Sequence, residues 1–457
     1  MAQPPSSNQP PPTRCAEPLR RQLGFWSLWL LVINGLIGAG IFALPAGAAR
    51  LAGDFSLWLY PLCALLILPV LLCFAELSGR FAGSGGPALY AAAAFGNAAG
   101  FQAGWLYYLA RLVSVAANTV LLVDSVSYFL PQLHSGAGRL LLLAGILGLL
   151  TLINVVGVRQ AMRWLGGLTA LKLTVLAGFA ATALLLPVLY PAPLASTSVQ
   201  WAPWASFHTV NDAPAALLLL IYAFVGFESA LIPAGEARDP QRDLPRALLL
   251  ALLMVTLLYM GIQAACLMLL PDLASSTAPL LDATAVLAGP AGAIPWATSL
   301  LMAGIIASVS ANLSGAMFST PRLSYVLAGQ GLLPAWFGVI DRRFLTPTHA
   351  IWFFGALALL LASVGSFLYL AAATVLIRAL LYGLCCAALP VLRRRQPSAL
   401  QLPLAWLWPA LGILVCLWLA LQVSAASVML TLALIAVGVI LSRMAQRAKP
   451  EADQINQ

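Results

Sequence analysis

The sequence predicts an all-α membrane protein of twelve transmembrane helices. Three observations carry that expectation: an apolar bulk unsuited to water, a lopsided placement of basic residues, and two spans interrupted by glycine at mid-membrane depth. Hydrophobic residues fill 61% of the 457 positions and charged residues 8%, whereas a soluble domain carries about 25% charged residues. In water this chain would lack the polar surface to cover its apolar side chains, and in lipid it needs none. A spanning helix takes about 20 mainly apolar residues. Residues 140–158, 247–270 and 351–392 qualify, the last being long enough for two spans with a tight turn near 363–366. The polar/apolar alternation of a membrane barrel is absent, so the spans are helices.

Taken in order, residues 1–22 are Pro-rich and polar, without the apolar core of a signal peptide, and read as a disordered cytoplasmic tail. The spans follow at 23–49, 55–79, 87–130, 139–158, 163–187, 212–235, 247–270, 294–328, 349–364, 366–391, 402–422 and 425–443. They group as a first repeat of five (23–187), an extracellular loop (188–211), a second repeat of five (212–392), two further helices (393–443) and a cytoplasmic tail (444–457). The loop at 190–212 holds Trp201, Trp204 and several prolines but no Lys or Arg, and the loop at 271–295 holds Asp272 and Asp282. Both suit an interfacial loop, or an extracellular gate.

Charge orients the spans. Of the 23 Lys and Arg, Arg50 and Arg139 fall on one side and Arg111, Lys172 and Arg378 lie within spans; the other eighteen fall on the side of the termini. That bias places both termini in the cytoplasm. The net charge of +9 therefore reflects topology, and the scattered basic residues do not make a nucleic-acid surface. Six of the seven cysteines (Cys63, Cys73, Cys266, Cys385, Cys386, Cys416) lie in apolar stretches without metal spacing and read as small apolar residues. His134, His208 and His349 fall near loops or span ends. With no metal motif, phosphate loop or ATP-hydrolysing domain, no cofactor is expected.

The first span contains Asn34-Gly35-Leu36-Ile37-Gly38-Ala39-Gly40. Each of its three glycines weakens a helix by about 1 kcal/mol relative to alanine. Unwound backbone at that depth survives only buried in protein or lining a cavity, and it exposes the amides of the following half-helix, which favour a carboxylate. Small residues also serve close helix packing, so both readings stand on spacing alone. The sixth span offers a counterpart, Ile221-Tyr222-Ala223-Phe224-Val225-Gly226-Phe227-Glu228-Ser229. Interruptions at matching places in two halves point to a transporter binding site. Each opens a group of five spans, as in a five-plus-five inverted repeat followed by two extra helices.

These residues resemble the amino acid–polyamine–organocation superfamily of permeases, in its bacterial amino acid transporter branch. Asn34 to Phe42, followed by Pro45, is similar to that family's first-helix signature. Phe224 to Glu228 with Gly235 to Arg246 is similar to its sixth helix and following loop, and Thr320-Pro321-Arg322 with Gly329 to Pro334 to the end of its eighth helix. The resemblance implies the inverted-repeat fold with discontinuous first and sixth helices (a LeuT-like arrangement) and sodium-independent or proton-linked transport of amino acids. It further implies a site near Asn34 and Ile37, with the amides of Gly38, Ala39 and Gly40 on the substrate carboxylate. Carbonyls around Val225 and Gly226 would accept from the α-ammonium, Tyr222 would cap the pocket, and Phe224 or Phe227 would line it. Lys172 matches the lysine that stands in for sodium, bridging the broken first helix to Ser308, Asn312 and Ser314 of the eighth.

Charges inside the membrane cost about 2.5–3.5 kcal/mol on insertion scales and are functional candidates by default. Burial would let Lys172 join in proton coupling, or it braces the bundle with a fixed charge. Glu228 reads as a gate, a proton carrier or a brace; Glu76 as an interface or intracellular gate residue; Asp124 lies near the outer side. Arg111 and Arg378 either pair with acids such as Glu228, Asp124 or Glu76, or one of them binds a second acidic group of the substrate. The expectation is a secondary carrier of amino acids, neutral ones favoured, working by alternating access as an exchanger or proton-coupled carrier. Alternatives are acidic amino acids or polyamines, or an exporter of the same architecture. A membrane enzyme or receptor is disfavoured by the isolated, unclustered charges. The expected partners are a small-molecule substrate, the lipid bilayer and protons, in a bacterial inner membrane.

Overall fold

The computed structural model describes residues 23–81, 85–133, 135–156, 161–189, 212–288, 296–395 and 403–447. The terminal tails up to 22 and beyond 447, most of the 188–211 loop with Trp201, Trp204 and His208, and also His134 and Arg159 lie outside the described residues. Fifteen helices follow in order: α1 (Phe25–Leu36), α2 (Gly40–Ala52), α3 (Ser56–Arg80), α4 (Pro87–Phe95), α5 (Asn97–Ser127), α6 (Gly136–Val156), α7 (Ala161–Leu189), α8 (Ala213–Ile221), α9 (Pro240–Leu269), α10 (Pro279–Ala288), α11 (Ala297–Gly329), α12 (Thr348–Val364), α13 (Phe367–Arg395), α14 (Leu407–Gln422) and α15 (Ala425–Arg447). Among the described residues, nine segments are long and apolar enough to cross a membrane. The chain is an all-helical, multi-pass membrane protein.

That number differs from the twelve expected for local reasons. The break in the first span leaves α1 with 12 residues. A 3-10 turn at Gly53–Phe55 runs α2 on into α3, so Gly40–Arg80 is one continuous apolar stretch. At 17 and 16 residues, α12 and α14 fall just under a full span. Three boundaries depart from the sequence reading. The segment at 87–130 is two helices, α4 and α5, parted at Gly96, whose φ of 92° belongs to a region that glycine alone enters at little cost. The loop at 271–295 contains α10, opened by Pro279. Helix α9 begins at Pro240, ahead of the expected 247, because a proline at the first helical position gives up no hydrogen bond the helix could use.

Helix α5 is the axis of the bundle: its apolar window is wholly buried, packed by α4, α11, α12 and α13. Helix α3 packs along α9 and α14. The side chains of α6 and α15 turn outward, with Leu141, Leu149, Met429 and Leu432 largely exposed; only lipid accepts such a surface without cost. At one end of the bundle, Leu23 pairs with the loop after the sixth span. Its amide donates to the Glu236 carbonyl at 3.0 Å and its carbonyl accepts from the Arg238 amide at 2.9 Å.

Candidate functional site

Both interrupted spans are interrupted in the structure. Helix α1 stops at Leu36 and α2 starts at Gly40, leaving Ile37–Ala39 between them. Helix α8 tightens into a 3-10 turn over Tyr222–Phe224, passes through extended Val225 and left-handed Gly226 (φ 113°), and resumes as 3-10 turns over Phe227–Leu231. The two breaks touch. A methyl group on Gly35 would strike the Gly226 carbonyl and sit 2.6 Å from Ser229 Oγ. Close packing and helix breakage, alternatives on spacing alone, therefore occur together: Gly35 allows the approach, Gly38 lies within the unwound stretch and Gly40 follows it.

Unwinding leaves backbone groups that must find partners inside protein. Asn118 of α5 supplies several. Its Oδ1 accepts from the Ala39 amide at 3.3 Å and from the Tyr222 hydroxyl at 3.0 Å, and its Nδ2 donates to Asn312 Oδ1 at 3.0 Å. Asn312 Nδ2 donates to the Asn34 carbonyl at 2.9 Å. The Tyr259 hydroxyl lies 3.3 Å from the carbonyls of both Leu36 and Ala223, one from each broken span. The Gly38 amide is turned back to the Leu36 carbonyl at 3.0 Å. Gly40 heads α2, where helical geometry leaves the first amides without an internal acceptor.

Lys172 is fully buried and reaches this break from α7. Its Nζ donates to Asn34 Oδ1 at 2.8 Å and to the Ile37 carbonyl at 2.7 Å. The link to α11 differs from the one expected. Ser308 Oγ is buried without a hydrogen-bond partner, and half-buried Ser314 takes no part. Asn312 makes the connection instead, through the Asn34 carbonyl. Lysine and α11 thus meet through Asn34, because its side chain and carbonyl point to opposite neighbours.

Glu228 is a brace. Its Oε1 accepts from Arg378 Nε at 2.9 Å, while Oε2 accepts from the Tyr382 hydroxyl at 2.5 Å and from the Gly226 amide at 3.1 Å. It therefore ties the break in the sixth span to α13. Arg378 has the acidic partner that was expected. Arg111 does not: it is 4% exposed, its Nε is a buried donor without an acceptor, and no ion pair reaches it among the described residues. Phe224 and Phe227 depart from the expectation as well. Phe224 packs edge-on to Tyr259 and tilted against Tyr60, and Phe227 lies against Phe74 and Tyr382, so both rings belong to the core.

Where the breaks meet, Gly35, Leu36, Gly38, Gly40, Ser114, Asn118, Tyr222, Ala223, Val225, Asn312 and Arg378 enclose a cavity of about 10 Å³, room for a single water. Beyond it, towards the Arg50 and Arg139 end, lies a vestibule of about 680 Å³ lined by Phe42, Arg50, Leu121, Asp124, Arg139 and Phe367 among others. Tyr222 of the small cavity meets Phe367 of the vestibule edge to face, ring centres 5.6 Å apart. Asp124 is paired with Arg139 at the vestibule wall. At the opposite end, Glu76 of α3 takes Arg393 of α13 bidentately and Arg80 at 2.7 Å, closing the bundle.

Sequence reasoning missed Asn118, Ser114, Tyr259 and Tyr382. Asn118 carried a readable signal, since an asparagine in the middle of an apolar span is a functional candidate on the same grounds as Lys172. The tyrosines carried none, because an apolar span with one hydroxyl reads as core.

A helical bundle with a vestibule at one end, an ionic clasp at the other and two opposed backbone breaks between them defines a multi-pass membrane transporter. The amino acid permease family pattern matches residues 23–432, and the chain belongs to that family. Its function is amino acid transport, and it is not an enzyme. It is 26% identical to the branched-chain amino acid permease BcaP of Bacillus subtilis over 95% of both chains. It is 30% identical to the L-methionine/branched-chain amino acid exporter YjeH of Escherichia coli, over 53% of this chain and 55% of that one. An uncharacterised Mycobacterium tuberculosis transporter is 29% identical over 68% of each.

Proposed function

We propose a sodium-independent secondary carrier of amino acids that works by alternating access, as an exchanger or with protons as the coupling ion. Twelve spans make two repeats of five (23–187 and 212–392) and two further helices (393–443), with both termini in the cytoplasm of a bacterial inner membrane. Counting α1 with α2, and α8 with its 3-10 continuation, as one broken span each supports twelve. The Arg50 and Arg139 end is then extracellular, and the Glu76–Arg393 clasp shuts the cytoplasmic side.

The observation that carries the reading is the ammonium of Lys172, set in the break between Asn34 Oδ1 and the Ile37 carbonyl. A cation is required where unwound oxygens converge, and this chain supplies it covalently. The substrate carboxylate binds the amides of Gly38, Ala39 and Gly40, and the α-ammonium binds carbonyls near Val225 and Gly226. In the present state Asn118 Oδ1 occupies the Ala39 amide and also holds the Tyr222 hydroxyl. A carboxylate arriving at Ala39 displaces Asn118 and releases Tyr222, so substrate binding and movement of the cap are one event. Lys172 and Glu228 hold the two breaks in register.

Two of the relatives are named for branched-chain amino acids, one of them for methionine as well. The walls here mix the polar Ser114, Asn118, Asn312 and Arg378 with the apolar Leu36, Ala223 and Val225. The test is uptake by the purified chain in proteoliposomes against a panel of radiolabelled amino acids, with and without sodium and a pH gradient. Uptake that persists without sodium is expected. Strict sodium dependence would remove Lys172 from the role given to it, and failure of every amino acid would overturn the whole reading.

A further inference from the structure

Arg111 is a cation in the middle of a fully buried span with no partner of its own. The Glu228 carboxylate is already saturated by Arg378, Tyr382 and the Gly226 amide. Arg111 thus has no carboxylate of its own among the described residues, and the Lys172 ammonium rests on neutral oxygens. The cavern of charge around the site is positive before any substrate enters.

Position makes that excess useful. Arg111, Ser114 and Asn118 recur at helical spacing on one face of α5. Ser114 and Asn118 line the small cavity, together with Arg378 and Tyr222. Arg111 stands one turn before Ser114 on that face. The Cα atoms of Asn118 and Arg111 are about 10 Å apart along the axis, seven residues at 1.5 Å each. Asn118 marks the level of the Ala39 amide, where the α-carboxylate binds; the arm of Arg111 and a short acidic side chain cover the remaining distance.

We propose that Arg111 receives an anionic group on the substrate side chain, so that this carrier's substrates are amino acids with a second carboxylate. The proposal rests on the reading of the cavity as the amino acid site and adds the side-chain class to it. A guanidinium fork matches a carboxylate bidentately. A neutral amino acid spends its only carboxylate at the break between α1 and α2 and leaves Arg111 uncompensated, while a cationic side chain meets two arginines. A dicarboxylic amino acid brings one negative charge in excess of its ammonium, placed where the fold lacks one. Free chloride would supply the same chemistry, and the experiment separates the two sources.

The test compares uptake of radiolabelled glutamate, its neutral isostere glutamine, and leucine by the full chain in proteoliposomes, in chloride and in gluconate media. Glutamate is expected to exceed glutamine at least tenfold in kcat/KM in both media. Arg111→Gln lowers that ratio at least tenfold, and Arg111→Lys restores part of it. Where Arg111→Gln fails to reach the membrane, the wild-type ratio decides alone. Glutamine or leucine carried as well as glutamate overturns the proposal and leaves the carrier reading standing. Neutral amino acid uptake that needs chloride overturns it too, by putting the free anion at Arg111. Absence of uptake for all three, and for the wider panel, overturns both readings together.

Discussion

Lys172→Met separates a mechanistic lysine from a merely structural one, because the two energies involved point in opposite directions. Methionine is one atom shorter than lysine and keeps most of its volume. It loses the bonds to Asn34 Oδ1 at 2.8 Å and to the Ile37 carbonyl at 2.7 Å. Hydrogen bonds from a charged donor contribute about 1.5–3 kcal/mol each, so the break loses about 3–6 kcal/mol of support. Against this, taking one ammonium out of the membrane recovers about 2.5–3.5 kcal/mol. The two sums nearly cancel for the bundle as a whole. The loss, however, falls entirely on the geometry of Ile37–Ala39, where at about 1.4 kcal/mol per tenfold it costs transport two orders of magnitude or more. The assay pairs initial uptake rates in proteoliposomes with the melting temperature of the same preparations. The expected result is a protein of near wild-type Tm that transports at about 1% or less of the wild-type rate. Uptake within a few-fold of wild type refutes the argument outright, and a collapse of Tm in step with uptake shows that Lys172 only braces the fold.

Three further outcomes are expected. Gly35→Ala forces a methyl group onto the Gly226 carbonyl and to 2.6 Å from Ser229 Oγ, so it abolishes uptake; Gly145→Ala, with open space around it, leaves uptake unchanged, and equal effects at the two sites would remove the contact between the breaks from the mechanism. Tyr222→Phe keeps the ring against Phe367 and loses the bond to Asn118 that substrate binding has to break, so it lowers KM several-fold, while Tyr222→Ala loses the ring contact too and raises leak of preloaded substrate; identical kinetics of the two variants would contradict this. Glu76→Gln leaves Arg80 and Arg393 facing each other without their carboxylate, at about 3–5 kcal/mol for a broken buried pair, which lowers Tm in detergent by several degrees. An unchanged Tm would mean the clasp contributes nothing.

The bundle was legible in the sequence because lipid imposes a long apolar run on every span, and glycine clusters at Gly35–Gly40 and Gly226 disclosed the interruptions. Lys172, Glu228 and Arg378 stood out for the same reason in reverse, as charges in a medium that rejects them. What stayed hidden was identity of partner. The family resemblance implied a bridge from Lys172 to the eighth span but could not show that Asn34 would stand between them, since that depends on which way one side chain turns at an unwound residue. Asn118 and Tyr259 act by reaching backbone groups of other helices, and such partners have no fixed offset in sequence. The parting of α4 from α5 at Gly96 hid inside an apolar run whose composition does not change across it.

The short backbone pairing of Leu23 with Glu236 and Arg238 acts as a yoke. It joins the start of α1 to the stretch that follows the broken sixth span, while Gly35 and Gly226 hold the same two elements together farther along. Two elements pinned at two points share one axis of rotation, so their inner ends swing as a single leaf rather than as two. Opening towards the side of the termini is then one movement against α3 and α13, and the ionic clasp of Glu76 with Arg393 needs to release only once.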